Sequence, residues 1–117
     1  MRVLLAGGGT AGHINPALAI AGYLCEKEPE TEILYIGAKD GMEERLVPKA
    51  GYAFKSIVIS GFQRKLNWKN LKRNAKTVVH MFTSSHEARR LIQEFSPDVC
   101  IGTGGYVAGP VVRERCV

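Results

Sequence analysis

Two glycine-rich segments could bring backbone N–H groups to an anionic ligand. The first, residues 7–13, follows the largely apolar run 2–6 and precedes a helical pattern. Glycines there let the main chain approach a ligand, and the N-terminus of the following helix presents free N–H groups and a positive dipole end. The second, residues 102–110, follows another apolar run at residues 99–101. Because ligands of open parallel sheets bind at the carboxyl ends of strands, we expect both segments to border one cleft.

His13 is the candidate for proton transfer, because it stands directly after the glycines of the first segment. A histidine there can act as a general base toward an attacking hydroxyl, or it can serve only as a hydrogen-bonding group, and both interpretations stay open. Thr10 and Thr103 are predicted to offer hydroxyl groups to the same cleft, and Tyr106 is predicted to lie at its lip.

The first glycine segment fits the common nucleotide-binding motifs only in part. Gly7, Gly9 and Gly12 match the pattern G-x-G-x-x-G. However, residues 36–39 at the end of the second predicted strand lack the acidic residue that would bind a ribose, which disfavours NAD. No GxxxxGK[ST] sequence is present, which excludes a P-loop. A tight strand-to-helix turn that binds no ligand stays the alternative.

Histidine and cysteine spacing predicts neither a metal site nor a disulfide framework. His80 and His86 have no partner at metal-ligand spacing, and we expect both on the surface. Cys25, Cys100 and Cys116 are widely separated and form no CxxC pair.

Hydrophobic periodicity predicts four strands that alternate with helices. The predicted strands are residues 2–6, 32–37, 54–59 and 98–102, and the predicted helices follow residue 13, cover 41–50 and about 68–95, and begin again at 109. Pro16 is predicted in the first turn of its helix, where a missing N–H costs little. Alternating strands and helices form right-handed βαβ units. The sequence therefore predicts an α/β fold, a Rossmann-like open parallel sheet with helices on both faces.

Composition and charge point to one globular domain with an anionic partner. The chain has 117 residues, of which 45% are hydrophobic and 23% are charged. No apolar run reaches the roughly 20 residues that cross a membrane, and we expect a cytoplasmic protein without a signal peptide. Residues 45–86 hold nine Lys or Arg and no Asp or Glu, whereas the rest of the chain has seven basic and eleven acidic residues. Such a region favours a phosphorylated substrate, an acidic membrane or nucleic acid, and the lack of a nucleic-acid-binding motif disfavours the last.

Two separated motifs resemble the N-terminal half of the MurG family of glycosyltransferases. They are GGTAGHINPALA at residues 8–19 and GTGGYVAGP at residues 102–110, and the resemblance covers essentially the whole chain. It implies one of the two Rossmann-like domains of a GT-B fold and no metal or organic cofactor. It also implies an inverting enzyme that moves N-acetylglucosamine from UDP-GlcNAc to the C4 hydroxyl of the muramoyl sugar of lipid I (undecaprenyl-diphosphate-linked muramoyl-pentapeptide). The product, lipid II, serves peptidoglycan synthesis.

The resemblance further implies roles for individual residues. His13 accepts the proton of the attacking hydroxyl. The residues expected to contact the donor sugar nucleotide are Thr10, Ala11 and Gly12. The residues expected at the acceptor diphosphate are Gly8, Gly9, Gly102, Gly104, Gly105 and Tyr106. Ala11 stands where the family usually has glycine, so its backbone φ must be negative.

The basic segment 62–82 then gains a role at the cytoplasmic face of the cell membrane, where the protein would be peripheral. Each Lys or Arg near an anionic surface contributes on the order of 1 kcal/mol. The expected membrane contacts are Trp68, Lys72, Arg73, Lys76, Val79 and Phe82. The alternative is a solvated helix face whose apolar stripe packs on the sheet.

The last predicted helix is still running at Val117, so we expect a truncated N-terminal acceptor-binding domain over residues 1–117. Such a fragment lacks the C-terminal donor-binding domain and should be inactive alone. The alternative is a non-catalytic, membrane-recruiting, acceptor-binding subunit of a split glycosyltransferase.

Overall fold

The computed structural model describes residues 1–58, 86–105 and 107–116, with only the backbone of residues 114–116. Its strands are β1 (Arg2–Gly7), β2 (Glu32–Ala38), β3 (Ala53–Ile57) and β4 (Val99–Gly104). Its helices are α1 (Ala11–Lys27), α2 (Glu43–Lys49), the helical residues 86–95, named α3 here, and α4 (Ala108–Cys116). All four predicted strands are confirmed. Of the predicted helix 68–95, residues 86–95 are helical, and the remainder lies outside the described residues.

The four strands form one parallel sheet in the order β3-β2-β1-β4. The chain adds β2 and then β3 on one side of β1, and afterwards crosses back to add β4 on the other side. The strand order therefore reverses between β1 and β4, which makes this a topological switch point of the sheet. The glycine segments follow these two strands, so the fold brings both segments to the reversal. The predicted Rossmann-like α/β architecture is confirmed.

Hydrophobic cores cover both faces of the sheet, because alternate residues of a strand point to opposite sides. Leu4 and Ala6 of β1 belong to a cluster with buried residues of α3 and α4. Val3 and Leu5 belong to a second cluster with buried residues of α1 and α2. Full burial of each Val, Leu or Ile contributes about 1.5–3 kcal/mol, so the central strand is fixed firmly beneath the glycine segments.

The predicted position of Pro16 in the first helical turn is wrong. Helix α1 begins at Ala11, which makes Pro16 its sixth residue. Proline lacks the N–H that would donate to the carbonyl oxygen of Gly12 four residues earlier. The helix continues past this point because Ile14 and Ala17, on either side of the proline, are fully buried against the sheet. The tight turn after β1, rather than the proline, determines where α1 starts.

Candidate functional site

The two glycine segments lie against each other at the carboxyl ends of β1 and β4. The N–H of Gly8 donates to the carbonyl oxygen of Gly104 at 3.2 Å. The segments also lie close together at Gly105, because a Cβ atom there would overlap the carbonyl group of Gly8. Gly104 and Gly105 also have positive φ angles of 125° and 88°, which L side chains rarely adopt. The expectation that the two segments come together is confirmed, and a ligand cleft between them stays a prediction.

His13 contacts both glycine segments. Its half-buried ring packs on Gly104, where a Cβ atom would lie only 2.6 Å from the ring carbon Cδ2. Its Nδ1 atom lies 2.9 Å from the carbonyl oxygen of Gly8. Because a carbonyl oxygen can only accept, Nδ1 carries the proton in this contact. In the neutral ring the lone pair is then on Nε2, which is the nitrogen able to accept a proton from a substrate.

The hydroxyl of Thr103 holds the main chain at His13 rather than facing a ligand. Its Oγ1 atom donates to the carbonyl oxygen of His13 at 2.7 Å, and the Ala6 carbonyl oxygen lies 3.5 Å away. Thr103 is therefore not available to the cleft as a hydrogen-bond donor, and a contact in which its hydroxyl accepts stays a prediction. A hydroxyl group has a single proton, and the close contact to His13 uses it.

The N-terminus of α1 provides open hydrogen-bond donors beside His13. Thr10 is the N-cap residue, is exposed, and makes no side-chain hydrogen bond to the first turn. Within the described residues, the N–H groups of Ala11 and Gly12 have no acceptor. Among described non-glycine residues only Asp40 and Ser96 have positive φ, so Ala11 meets the requirement for an alanine at its position.

Glu43 is a part of the site that no motif in the sequence predicted. Its side chain is fully buried, although it is the first residue of α2. Atom Oε1 accepts a hydrogen bond from the N–H of Ala38 at 2.7 Å, and Oε2 accepts one from the N–H of Gly9 at 3.4 Å. In the described part of the chain no Lys or Arg forms an ion pair with this carboxylate.

Glycines surround the Glu43 carboxylate. A Cβ atom at Gly8 or Gly41 would overlap its oxygens, and one at Gly37 would overlap its Cγ atom. These glycines end or follow two neighbouring strands, and the acidic residue comes two positions after the last of them. Glycines at two strand ends, followed closely by an acidic residue, were the signal available in the sequence. This pattern indicates that an acidic side chain fills the space that the glycines leave open.

Gly102 lies within β4 and pairs with Ala6. A Cβ atom at Gly102 would lie 2.8 Å from Cγ2 of Val112, so the glycine lets α4 pack closely on the strand. A contact of Gly102 with a diphosphate stays a prediction. Tyr106 and the six expected membrane contacts lie outside the described residues.

Tyr35 supports the first glycine segment from beneath. Its buried hydroxyl donates to the carbonyl oxygen of Gly7 at 2.7 Å. Burial raises the pKa of the Tyr35 hydroxyl above its ordinary value of 10.0, and the negative charge of Glu43 adds to the rise. The hydroxyl therefore stays protonated and continues to donate at all physiological pH values.

Replacement of Tyr35 by Phe is expected to destabilise the 117-residue chain by about 1 kcal/mol at neutral pH, because the Gly7 carbonyl loses its buried donor. In the unmodified chain, the free energy of unfolding should also fall above about pH 10, because only the unfolded state loses the Tyr35 proton there. The expected decrease is up to about 1.4 kcal/mol per pH unit. Urea unfolding at about pH 8 and about pH 11 measures both effects. A Tyr35→Phe chain with an unchanged alkaline loss would contradict this assignment.

Comparison with known proteins identifies the family. Residues 3–115 match the model of the glycosyltransferase family 28 N-terminal domain. The chain belongs to this family.

Individual relatives agree with this assignment and extend beyond the chain. A Lactococcus lactis subsp. cremoris (strain MG1363) protein is 50% identical over 112 residues, which cover 96% of this chain and 30% of the relative. A Bacillus cytotoxicus protein is 52% identical, with the same coverage of both. Both are named UDP-N-acetylglucosamine–N-acetylmuramyl-(pentapeptide) pyrophosphoryl-undecaprenol N-acetylglucosamine transferase. The chain thus spans about 30% of the length of these relatives.

A solved structure shows the same fold. The crystal structure of Acinetobacter baumannii MurG superposes with a TM-score of 0.78 at 28% sequence identity, covering 98% of this chain and 31% of that one. The resemblance to the MurG family is thereby confirmed. Across the described ranges of this chain, no helix is both long enough and apolar enough to span a membrane.

Proposed function

We propose that this chain is the acceptor-binding domain of an inverting glycosyltransferase of peptidoglycan synthesis. The full protein would transfer N-acetylglucosamine from UDP-GlcNAc to the C4 hydroxyl of the muramoyl sugar of lipid I and release lipid II. The names of relatives about 50% identical over 96% of the chain support this substrate pair. The observation that carries the proposal is the His13 imidazole, held between both glycine segments with Nε2 available as a proton acceptor.

The proposed chemistry uses His13 as a general base. Nε2 takes the proton of the acceptor C4 hydroxyl while that oxygen attacks the anomeric carbon of N-acetylglucosamine from the face opposite the nucleotide. The bond from the anomeric carbon to the phosphate oxygen breaks, and UDP leaves with its electron pair. The anomeric configuration is therefore inverted. The hydrogen bond from Nδ1 to Gly8 keeps the ring in the tautomer that this step needs.

The glycine segments provide an anion-binding surface in two ways. The open N–H groups of Ala11 and Gly12, together with the dipole of α1, favour a phosphate near Thr10, where we place the donor nucleotide. The N–H groups of Gly8 and Gly9 already have protein acceptors. These two glycines therefore favour binding of the acceptor diphosphate mainly because they have no side chains and leave the backbone accessible.

We place the other glycines of the acceptor site in the second segment. They are Gly102, Gly104 and Gly105, and Tyr106 is proposed at the lip of the cleft.

The proposal includes peripheral attachment to the cytoplasmic face of the membrane, where a lipid-linked acceptor is found. Its support is the sequence of residues 45–86, which hold nine Lys or Arg and no acidic residue. Such a region is attracted to anionic lipid headgroups.

Activity of the full-length protein that carries this sequence tests the proposed function. We expect turnover of UDP-GlcNAc with a lipid I analogue, measured as UDP release together with the new disaccharide product. The 117 residues alone should show negligible turnover, because an inverting transfer must align both substrates and most of the donor site is expected in the other domain. Ordinary turnover by the 117 residues alone, or none by the full-length protein, would contradict the proposal.

A further inference from the structure

The peptide group that joins Gly8 to Gly9 is hydrogen-bonded at both of its ends. Its carbonyl oxygen, on Gly8, accepts from Nδ1 of His13 at 2.9 Å. Its N–H, on Gly9, donates to Oε2 of Glu43 at 3.4 Å. Because a peptide group is planar and rigid, the two contacts are coupled, and one rigid unit connects a buried carboxylate to the imidazole.

This peptide group would turn easily without such contacts. Both residues are glycines, and Gly9 has a φ angle of 88° with open space where a Cβ atom would stand. Glycine adopts positive and negative φ about equally readily, so a rotation of the peptide plane meets no side-chain barrier. After such a rotation the carbonyl oxygen would point away from His13, and the N–H would point toward it. Nδ1 would then have to accept a hydrogen bond from this N–H, and the ring proton would move to Nε2.

Glu43 is well placed to prevent this rotation, because it is itself fixed. Its carboxylate is fully buried, and Oε1 is held by the N–H of Ala38 at 2.7 Å. The glycines that surround it stand so close that a Cβ atom at Gly8 or Gly41 would overlap the carboxylate, which leaves it little room to move. A hydrogen bond from a backbone N–H to a carboxylate is also charge-assisted and polarises the carbonyl at the other end of the same peptide group.

We infer that Glu43 is a positioning residue for His13, acting through the Gly8–Gly9 peptide group to keep the imidazole proton on Nδ1. Glu43 touches neither substrate nor the reacting atoms in this scheme. Its effect on turnover rests on the proposed transferase function, whereas its effect on the His13 tautomer does not.

The substitution Glu43→Gln tests this inference with little change of shape. The side-chain amide has one accepting oxygen, which should keep the shorter contact to Ala38 and leave the NH₂ group facing the N–H of Gly9. Two donors then oppose each other, which favours rotation of the peptide group. In ¹⁵N-histidine NMR of the full-length protein at a pH where the ring is neutral, the His13 signal should change from the Nδ1–H to the Nε2–H tautomer.

Kinetics provide a second readout, because a purely structural role of Glu43 would not change kcat and KM differently. We expect Glu43→Gln to lower kcat at least about tenfold, because a displaced catalytic group can cost up to roughly a hundredfold. KM for UDP-GlcNAc should be nearly unchanged. Glu44→Gln is the matched control, since Glu44 is the next residue of α2, is exposed, and within the described ranges accepts a hydrogen bond only from the N–H of Asp40. It should keep both the tautomer and the turnover of the unmodified protein.

The outcomes separate the two proposals. An unmodified full-length protein that shows no transfer contradicts the proposed function, and the tautomer measurement still decides the role of Glu43. The inference is overturned if Glu43→Gln keeps the Nδ1–H tautomer, or if it changes kcat no more than Glu44→Gln does. If Glu43→Gln does not fold, the His13 tautomer of the unmodified protein is the deciding measurement. An Nε2–H tautomer in the unmodified protein would also overturn the inference.

Discussion

Replacement of His13 by Gln is expected to reduce kcat of the full-length protein by roughly 10²–10⁴-fold, the range that general-base catalysis typically contributes. The glutamine amide can still donate to the carbonyl oxygen of Gly8, as Nδ1 does at 2.9 Å. It cannot accept a proton at neutral pH. The substitution therefore removes proton transfer while it keeps the contact to the first glycine segment, and it separates the two roles that the sequence leaves open for His13.

The matched control is His86→Gln, because His86 is exposed on α3. Its turnover should equal that of the unmodified protein. Urea unfolding should place the stability of the His13→Gln chain within about 1 kcal/mol of the original, since the hydrogen bond is replaced rather than lost. If His13→Gln keeps the turnover of the His86→Gln control, His13 is a hydrogen-bonding residue and not the base.

The meeting of the glycine segments was predictable from local sequence and general topology. Apolar runs predict β1 and β4 as strands, and the glycines after each run mark their carboxyl ends, although only β1 is buried in the described structure. Parallel strands present those ends at one edge of the sheet. The position of His13 one residue after Gly12 then places an imidazole near both segments. None of these steps needs a particular side-chain contact.

The role of Glu43 was not predictable in this way, because its burial depends on several elements at once. By itself, an acidic residue in the first turn of a helix is expected to be exposed and to stabilise the helix dipole. The space for its carboxylate exists only after Gly8 on one strand end and Gly37 and Gly41 on the next have been brought together. The start of α1 at Ala11 is a similar case, since the turn after β1 determines it and Pro16 does not.

Replacement of Gly105 by Ala is expected to cost the 117-residue chain about 2–5 kcal/mol of its free energy of unfolding. Two effects combine there. The φ angle of 88° strains an L residue by about 1–2 kcal/mol, and overlap with neighbouring atoms typically costs about 1–3 kcal/mol more. The overlapping atoms are the backbone of Gly8, which cannot move aside as a flexible side chain could. Urea unfolding measures the loss.

A further glycine separates these effects. Gly51 has a φ angle of 94° and no atom within 4 Å of the position that a Cβ would occupy, so Gly51→Ala should show the backbone strain alone. A Gly105→Ala loss no larger than that of Gly51→Ala would contradict the close contact between the segments. If the contact is as described, relief of the overlap must push Gly8 away from Gly104 and displace the carbonyl oxygen that His13 contacts, so transfer should fall together with stability.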